Sequence, residues 1–221
     1  MIRWEHLDTA PIPDGGQLKL MRRGTEYSIM SGPIELMNSR LSGSEEALAT
    51  LTCADLKPGA KVLIGGLGMG FTLRAALGLL PSGVEVTVAE LVPAVVAWAR
   101  GPLAGVFAGS LDDPRVHIRE GDVAEALEEA AATYDAILLD VDNGPGGLNR
   151  EANNGLYNGA GLARSKRALK RGGVLAVWSA APDERFTGRL CKAGFAVEER
   201  RVRATRRGRG ARHVIWLART A

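Results

Sequence analysis

The stretch from Lys61 to Ala76, KVLIGGLGMGFTLRAA, constrains the fold of this chain more than any other. An apolar run of strand length leads into a glycine-rich turn and then into a segment with helical spacing of apolar residues. The glycines of the turn are Gly65, Gly66, Gly68 and Gly70. Residues without a Cβ tolerate positive φ and let the backbone approach a ligand closely, so this unit is typical of nucleotide-binding α/β proteins.

The remaining pattern predicts where this unit sits in the fold. A helix is predicted over 43–56, opened by a capping box between Ser42 and Glu45. Five predicted strands alternate with helices; they lie at 62–65, 84–89, 115–118, 135–141 and 174–178. Two final strands follow with no helix between them, at 195–202 and 213–218. This order predicts an α/β fold with a doubly wound, mostly parallel seven-stranded sheet of the Rossmann-like kind.

The first 41 residues differ from the rest. Residues 17–37 show partial alternation broken by Gly and Pro, which predicts two or three short strands. We therefore expect a β-rich N-terminal region, 1–41, followed by a Rossmann-like ligand-binding domain, 42–221.

Acidic residues stand at the ends of three predicted parallel strands. They are Glu90, 20 residues after Gly70, then Asp122, and then Asp140 with Asp142. Because the carboxyl ends of parallel strands meet at one edge of a sheet, these carboxylates are expected to share a site. Taken singly, Asp122 could be only a helix N-cap and Glu90 only an acid favoured at a helix start. Taken together with the glycine turn, they predict a nucleoside ligand.

The charge of this edge indicates which nucleoside. No Lys or Arg lies between Val62 and Phe71, so a pyrophosphate ligand such as NAD is disfavoured and the turn is not a P-loop. A carboxylate about 4 Å from a sulfonium would attract it by roughly 4 kcal/mol at an effective dielectric near 20. S-adenosylmethionine, or its decarboxylated form, is therefore the expected cofactor.

From about Gly15 to Ala218 the chain resembles the spermidine synthase-like group of class I S-adenosylmethionine-dependent transferases. GGLGMG at 65–70 stands where that group has GGGDGG, and VTVAELVPAVVAWAR at 86–100 resembles its strand ending in Glu. RVHIREGDVAEAL at 115–127 resembles its RV…GDA…L segment, and YDAILLDVDNGPGGL at 134–148 stands where it has YDxIxxDSxDPxGP.

The resemblance implies roles for these residues. Glu90, with Leu91 beside it, would hold the ribose hydroxyls. Asp122 would bind the adenine amino group with the Val123 amide nearby, and Asp140 would face the reacting end of the cofactor and the incoming amine. The N-terminal strands resemble a shortened form of the group's β-hairpin domain, which implies a homodimer.

The departures from the group decide the expected reaction. Gly68 or Met69 replaces the aspartate of the glycine-rich turn, 43–46 replaces a Tyr-His-Glu segment, and Glu35 replaces a hairpin glutamine. Because residues that position a polyamine are lost, methyl transfer to a small-molecule acceptor is the main prediction. Aminopropyl transfer from decarboxylated S-adenosylmethionine is the alternative; in it Asp140 and Asp142 would help remove a proton from the attacking amine.

Three further residues are candidates on the acceptor side. The first is Glu35, named above. The other two, Asn143 and Tyr157, belong to a glycine-rich polar segment that could cover the substrate. Trp98 is expected to be a core residue, since it has helical spacing from Val95.

A run of arginines near the C-terminus allows a third hypothesis. Seven arginines fall within residues 200–212, and a basic hairpin of this kind could bind phosphates, as in an RNA methyltransferase. No aromatic residues are interleaved with them for base stacking, so nucleic acid is not the favoured partner. His213, next to this run, is expected to lie on a sheet face rather than act as a base.

Composition limits the other function classes. With 221 residues, 46% hydrophobic, the chain can form one globular unit with a small appendage. It has no apolar run of 18 residues and no secretory pattern at its start, so a cytoplasmic location without membrane contact is expected. Cys53 and Cys191 have no metal-ligand spacing, so no metal site is predicted and both thiols are expected to be reduced and packed.

Overall fold

The computed structural model describes residues 2–13, 15–141, 144–145, 154–205 and 210–221. Two sheets organise these residues. The first is antiparallel, with strands in chain order: β1 (Glu5–Pro11), β2 (Gln17–Arg23), β3 (Glu26–Ser31) and β4 (Ile34–Asn38). Neighbouring strands are joined by short connections, which is how antiparallel strands follow one another.

The second sheet has seven strands and carries the helices. Its strands are β5 (Lys61–Gly65), β6 (Glu85–Glu90), β7 (Val116–Glu120), β8 (Tyr134–Leu139), β9 (Leu169–Ser179), β10 (Ala196–Arg203) and β11 (Arg212–Arg219), in the spatial order β10-β11-β9-β8-β5-β6-β7. Strand β11 pairs antiparallel with both β10 and β9, and the remaining pairs are parallel, so β11 alone runs opposite to the other six strands. The predicted doubly wound seven-stranded sheet is confirmed.

Eight α-helices accompany the strands within the described residues. They are α1 (Gly43–Cys53), α2 (Phe71–Leu79), α3 (Pro93–Arg100), α4 (Ala104–Phe107), α5 (Val123–Glu129), α6 (Asn154–Tyr157), α7 (Gly159–Ala168) and α8 (Glu184–Lys192). None of them is long and apolar enough to cross a membrane.

The central strand β5 shows why the sheet is covered on both faces. Val62 and Ile64 belong to one buried cluster, and Leu63 belongs to the cluster on the opposite face. Successive side chains of a strand point to opposite faces, so a run of apolar residues needs a layer of helices on each side. The same layers bury Trp98, which is 3% exposed as expected of a core residue.

The N-terminal sheet lies against the helical layer of the larger sheet. The Trp98 Nε1–H donates to Asp8 Oδ2 at 2.7 Å, which joins β1 to α3. Strand β1 was not predicted, because its charged residues mask the alternation that leaves only Ala10 fully buried. The division at residue 41 stays a prediction.

Two local predictions were wrong. Ser42 makes no side-chain cap bond at the start of α1; instead the Glu45 carboxylate accepts a hydrogen bond from the Ser44 hydroxyl at 2.7 Å. A single helix is expected between the predicted strands at 135–141 and 174–178, but the described residues there form two, because the Asn158 side chain accepts from the Gly161 amide at 2.9 Å and starts a new helix, α7. Cys53 is buried as expected, whereas Cys191 lies exposed on α8.

Candidate active site

The glycine turn lies where strand order reverses, since β5 has β6 on one side and β8 on the other. Gly66 has φ +90°, and a Cβ at this position would lie 2.4 Å from the Asp140 carbonyl oxygen. Gly70 caps α2 with φ +74°, and a Cβ there would lie 2.4 Å from the Phe107 ring. Both positions therefore require glycine, and the turn keeps the ends of β5 and β8 close together.

A cavity opens beside this turn, and most of the predicted cofactor residues line it. We call it the first cavity; the predicted residues in its wall are Gly66, Gly68, Glu90, Leu91, Asp122, Val123 and Asp140. The carboxylates at the ends of three strands thus share one cavity, as the sequence pattern predicts. The N-terminal sheet and the residues next to it complete the wall with Ile12, Leu18, Ser31, Leu36 and Met37.

Backbone amides fix the Glu90 carboxylate in this wall. Its Oε2 accepts from the Leu67 amide and its Oε1 from the Val92 amide, each at 2.9 Å, and the residue is 8% exposed. A carboxylate has about four acceptor positions, so two of them are used to orient the group. Glu90 therefore ties the glycine turn to the end of β6 and still lines the cavity.

Asp122 caps a helix and also lies in the wall of the first cavity. Its Oδ1 accepts from the Ala124 amide at 2.8 Å, so it is the N-cap of α5. It also lines the first cavity, beside Val123. The helix cap holds the carboxylate at the cavity wall.

Asp140 follows β8, and its backbone lies next to the glycine turn. Its amide donates to the Gly65 carbonyl at 2.9 Å, and the Thr72 hydroxyl donates to its Oδ2 at 2.5 Å. Burial and, second, the negative charge of Glu45 raise the pKa of Asp140 to about 7, against the opposing effect of the Thr72 hydrogen bond. A carboxyl group with this pKa can gain and lose a proton near neutral pH.

A second cavity lies on the other side of Asp140. Besides Asp140, its wall includes Asn38, Glu45, Met69, Phe71 and Trp178. Burial raises the pKa of Glu45, and the hydrogen bond from Ser44 opposes the shift. Because Asp140 lines both cavities, a group held in one can approach a group held in the other at this carboxylate.

Trp178 gives the second cavity an unused donor. The residue is 8% exposed and lines the cavity, and its indole N–H has no hydrogen-bond partner among the described residues. A buried donor without a partner costs free energy. Its position favours a polar ligand that could accept from it.

The structure does not bring all predicted site residues to these cavities. Gly65 and Gly70 are among the packing positions of the turn, where a Cβ would meet Val123 and Phe107. Asp142 and Asn143 lie outside the described residues.

Glu35 and Tyr157, both predicted on the acceptor side, lie elsewhere. The carboxylate of Glu35 accepts from Ser28, Asn38 and Arg40 within the N-terminal sheet, and its neighbours Leu36 and Met37 reach the cavities instead. Tyr157 is 3% exposed and packs edge-to-face on Phe186 in the core.

The arginine-rich hairpin is partly neutralised by its own strand. Arg200 pairs with Glu198 at 2.5 Å and Arg201 with Glu199 at 3.6 Å on β10. Three of the seven arginines, Arg206, Arg207 and Arg209, lie outside the described residues. The paired arginines have less charge to offer a phosphate backbone than the sequence suggested. Among described residues, no three His, Cys, Asp or Glu side chains group as a metal site requires.

Comparison with known proteins gives a family for this geometry. The family model of the spermine/spermidine synthase domain matches residues 42–185, which includes the glycine turn and all three strand-end carboxylates. The chain belongs to the spermine/spermidine synthase domain family.

Named relatives of this family match the same region. The polyamine aminopropyltransferase of Mycobacterium tuberculosis (strain CDC 1551 / Oshkosh) is 36% identical over 146 residues, which is 62% of this chain and 27% of that protein. The polyamine aminopropyltransferase of Korarchaeum cryptofilum is 32% identical over 134 residues, 61% of this chain and 40% of that protein. The aligned part of this chain thus spans between about a quarter and two fifths of these relatives.

Solved structures agree with the fold of a spermidine synthase. The spermidine synthase of Thermotoga maritima superposes with a TM-score of 0.77 at 20% identity, covering 98% of this chain and 72% of that one. A precorrin-6y C5,15-methyltransferase of Geobacter metallireducens superposes with a TM-score of 0.56, covering 80% and 87%. At this level of identity the superpositions describe the fold alone.

The family match corrects the predicted reaction. Methyl transfer was expected, and it is wrong: the matching family model is that of spermine/spermidine synthases, and the relatives are polyamine aminopropyltransferases. The prediction rested on the absence from this chain of a Tyr, a His and an Asp that the spermidine synthase-like group has, and it took their absence to mean that a polyamine is not bound. It did not foresee that Glu45 and Asn38 line a cavity next to Asp140.

Sequence reasoning missed the residues around the second cavity for an identifiable reason. Glu45 follows Ser42 at capping-box spacing, so a local role explained it fully. Thr72 and Trp178 read as ordinary helix and strand residues. The replacement of a Tyr-His-Glu segment by one with two adjacent glutamates was the one signal that could have pointed to Glu45.

Proposed function

We propose that this chain transfers an aminopropyl group from decarboxylated S-adenosylmethionine to a small aliphatic amine. The observation that carries the proposal is the position of Asp140, which belongs to the walls of two adjacent cavities. One cavity would hold the donor and the other the acceptor.

The first cavity fits the donor in its chemistry. Glu90 and Asp122 offer carboxylate acceptors for ribose and adenine groups, and Leu91, Val123 and Val95 offer apolar surface for a purine ring. When bound, the donor supplies a carbon made electrophilic by the adjacent sulfonium. Asp140 would stabilise positive charge at that end of the ligand.

The same charges favour the decarboxylated donor over S-adenosylmethionine itself. At the border of the two cavities, the charge of Glu45 already raises the pKa of Asp140, and burial raises the pKa of both groups. A third carboxylate, brought in by the amino-acid end of S-adenosylmethionine, would add like-charge repulsion there. The decarboxylated donor keeps the ammonium of that end and lacks the carboxylate, so only the attraction remains.

The second cavity fits a cationic amine. Glu45 and Asp140 supply negative charge, Asn38 can form neutral hydrogen bonds, and Phe71 and Met69 can contact methylene groups. An attacking amine must lose its proton before its lone pair is free. With a pKa raised to about 7, Asp140 can accept that proton near neutral pH.

The experiment that tests the proposal combines binding with product analysis. Calorimetry would compare decarboxylated S-adenosylmethionine, S-adenosylmethionine and NAD, and mass spectrometry would look for aminopropylated products with 1,4-diaminobutane and 1,3-diaminopropane. We expect tightest binding of the decarboxylated donor and product formation with a diamine. We expect Asp140→Asn to lower kcat by roughly 10²–10⁴-fold, the usual range for general acid–base catalysis.

The matched control is Asp55→Asn, which makes the same chemical change at an exposed position. It should leave turnover unchanged. Preferred binding of NAD, or full turnover in Asp140→Asn, would contradict the proposed function.

A further inference from the structure

A line of hydrogen bonds leads from the second cavity to the edge of the larger sheet. The Ser44 hydroxyl donates to Glu45 Oε2 at 2.7 Å, and His213 Nδ1 lies 2.8 Å from Ser44 Oγ. The Ser44 hydroxyl group has one proton, and it uses that proton in the hydrogen bond to Glu45. In this arrangement His213 Nδ1 is therefore the protonated ring nitrogen and donates to Ser44.

The inner end of this line is coupled to Asp140. Glu45 and Asp140 line the same cavity, and the charge of Glu45 contributes to the raised pKa of Asp140. Thr72 bridges the two residues, because its hydroxyl donates to Asp140 Oδ2 and lies 3.4 Å from the Glu45 carbonyl oxygen. A proton taken up by either carboxyl group lowers the cost of keeping the other ionised.

The outer end is less buried than the middle. Ser44 is fully buried, whereas His213 keeps partial exposure on β11. The His213 ring packs edge-to-face on Trp178, with centroids 4.8 Å apart, and burial lowers the pKa of His213. A neutral imidazole at this place can accept a proton from inside and release one outside.

We propose that Ser44 and His213 are a proton exit route for the acceptor cavity, which carries away the proton that the attacking amine loses to Asp140 and Glu45. The proposal rests on the proposed amine transfer. It adds to that function two residues outside both cavity walls, and it gives Glu45 the role of linking Asp140 to them.

The route balances in protons. The amine gives its proton to the carboxyl pair, and its lone pair then forms the new nitrogen–carbon bond while the carbon–sulfur bond breaks and sulfur keeps the electron pair. The partly exposed His213 ring first exchanges protons with solvent, taking one up at Nε2 and releasing the one at Nδ1, which gives the Nε2–H tautomer with no net change in protons. Protonated Glu45 then donates to Ser44 Oγ as Ser44 gives its own proton to Nδ1 of His213. The resulting imidazolium loses its Nε2 proton to solvent, which restores the Nδ1–H tautomer and the ionised Glu45.

Other charged groups near the line are few among the described residues. Glu46 acts on Glu45 from the same helix and raises its pKa further. Asp140, which follows β8, is the charged group that faces Glu45 from the sheet. From α2 the neutral Thr72 faces the same residues. Next to His213, β9 contributes Trp178 and β10 places Val202 opposite it in the ladder, neither of which is charged.

Turnover measurements distinguish this route from a purely structural tie between α1 and β11. We expect His213→Ala to lower kcat about tenfold at pH 7 with an unchanged Kd for the decarboxylated donor, since a relay is one step removed from direct acid–base catalysis. Added imidazole should restore most of the loss in His213→Ala. It should restore nothing in Ser44→Ala, where the middle of the route is missing.

The matched control is His117→Ala, which removes an exposed histidine from β7 and should leave kcat unchanged. Full activity in His213→Ala, or a loss that imidazole does not restore while the variant melts like the wild type, would overturn the route. If the wild-type protein turns over no diamine at all, it is the proposed function that fails.

A measurement without turnover tests the route in either case. NMR titration, with His213 assigned from its loss in His213→Gln, would follow the His213 pKa in the wild type and in Glu45→Gln. Removal of the Glu45 charge should lower the His213 pKa, because the imidazolium loses its negative partner along the line. An unchanged His213 pKa in Glu45→Gln would overturn the link between Glu45 and His213.

Discussion

At the scale of single residues, the acidic groups of this site divide by environment. Glu90 and Asp122 are held by backbone amides at the ends of β6 and β7, and such bonds stabilise an ionised carboxylate. Asp140 is buried beside a second carboxylate, and a single hydroxyl donor does not offset these two effects, so its neutral form is favoured. One set of carboxylates is therefore suited to hold polar groups, and the other to move a proton.

The raised pKa of Asp140 makes the free energy of unfolding depend on pH in a definite direction. Its pKa rises from the ordinary 3.8 to about 7 on folding, so between these pH values the folded protein binds more protons than the unfolded chain. The free energy of unfolding therefore falls as pH rises through this window. We expect Asp140→Asn to raise the melting temperature by on the order of 5 °C at pH 8 and to have little effect near pH 4.

Calorimetric melting of wild type and Asp140→Asn from pH 4 to pH 8 would check this. Asp55→Asn again serves as the control, with no pH-dependent difference expected. A stabilised but inactive Asp140→Asn would fit a site that trades stability for function. A variant that is equally destabilised at both ends of the range would contradict the assigned environment of Asp140.

At the scale of elements, the β5–turn–α2 unit could be predicted from sequence and the acceptor side could not. Gly66 and Gly70 are required by contacts that follow directly from a strand-turn-helix unit, and Glu90 and Asp122 stand at spacings set by the parallel sheet. Glu45, in contrast, reaches Asp140 only because α1 packs beside α2 and β8. That neighbour relation comes from tertiary packing, which no local pattern in 42–56 specifies.

The turn itself offers a test with a control in the same unit. Gly66→Ala would place a Cβ 2.4 Å from the Asp140 carbonyl oxygen at φ +90°, so we expect a loss of about 1–3 kcal/mol or more in unfolding free energy and loss of donor binding. Gly78→Ala, within α2 and with open space around its Cβ, should be neutral or stabilising by up to about 1 kcal/mol. Urea unfolding of both variants would decide, and equal stability of the two would contradict the described turn.

At the scale of the whole molecule, the two sheets build one site. The larger sheet supplies the carboxylates, and Ile12, Leu18 and Met37 from the smaller sheet and its flanks close the wall of the first cavity. The sequence predicted strands before residue 41 but not β1, whose charged residues hide its pairing. The expected homodimer stays a prediction.

The contact between β1 and α3 tests whether the smaller sheet is needed for ligand binding. The Trp98 N–H donates to the Asp8 carboxylate at 2.7 Å, and this bond is the largest of the influences that lower the pKa of Asp8. Without this hydrogen bond, β1 is no longer held to α3. Ile12, which follows β1, is then no longer held in position in the cavity wall. We expect Asp8→Ala to speed amide hydrogen exchange in β1 and β2, to leave β5 and β8 protected, and to weaken binding of the decarboxylated donor several-fold.

The control for that experiment is Glu5→Ala, which removes an exposed carboxylate that pairs with Arg22 at 2.8 Å inside the smaller sheet. Exposed ion pairs contribute about 0–1 kcal/mol, so this variant should exchange and bind like the wild type. If Asp8→Ala loosens β1 and donor affinity stays the same, the first cavity does not depend on the smaller sheet for its function. A several-fold loss confined to Asp8→Ala would instead mean that a strand with no residue of its own in the cavity wall sets donor affinity by holding Ile12 in place.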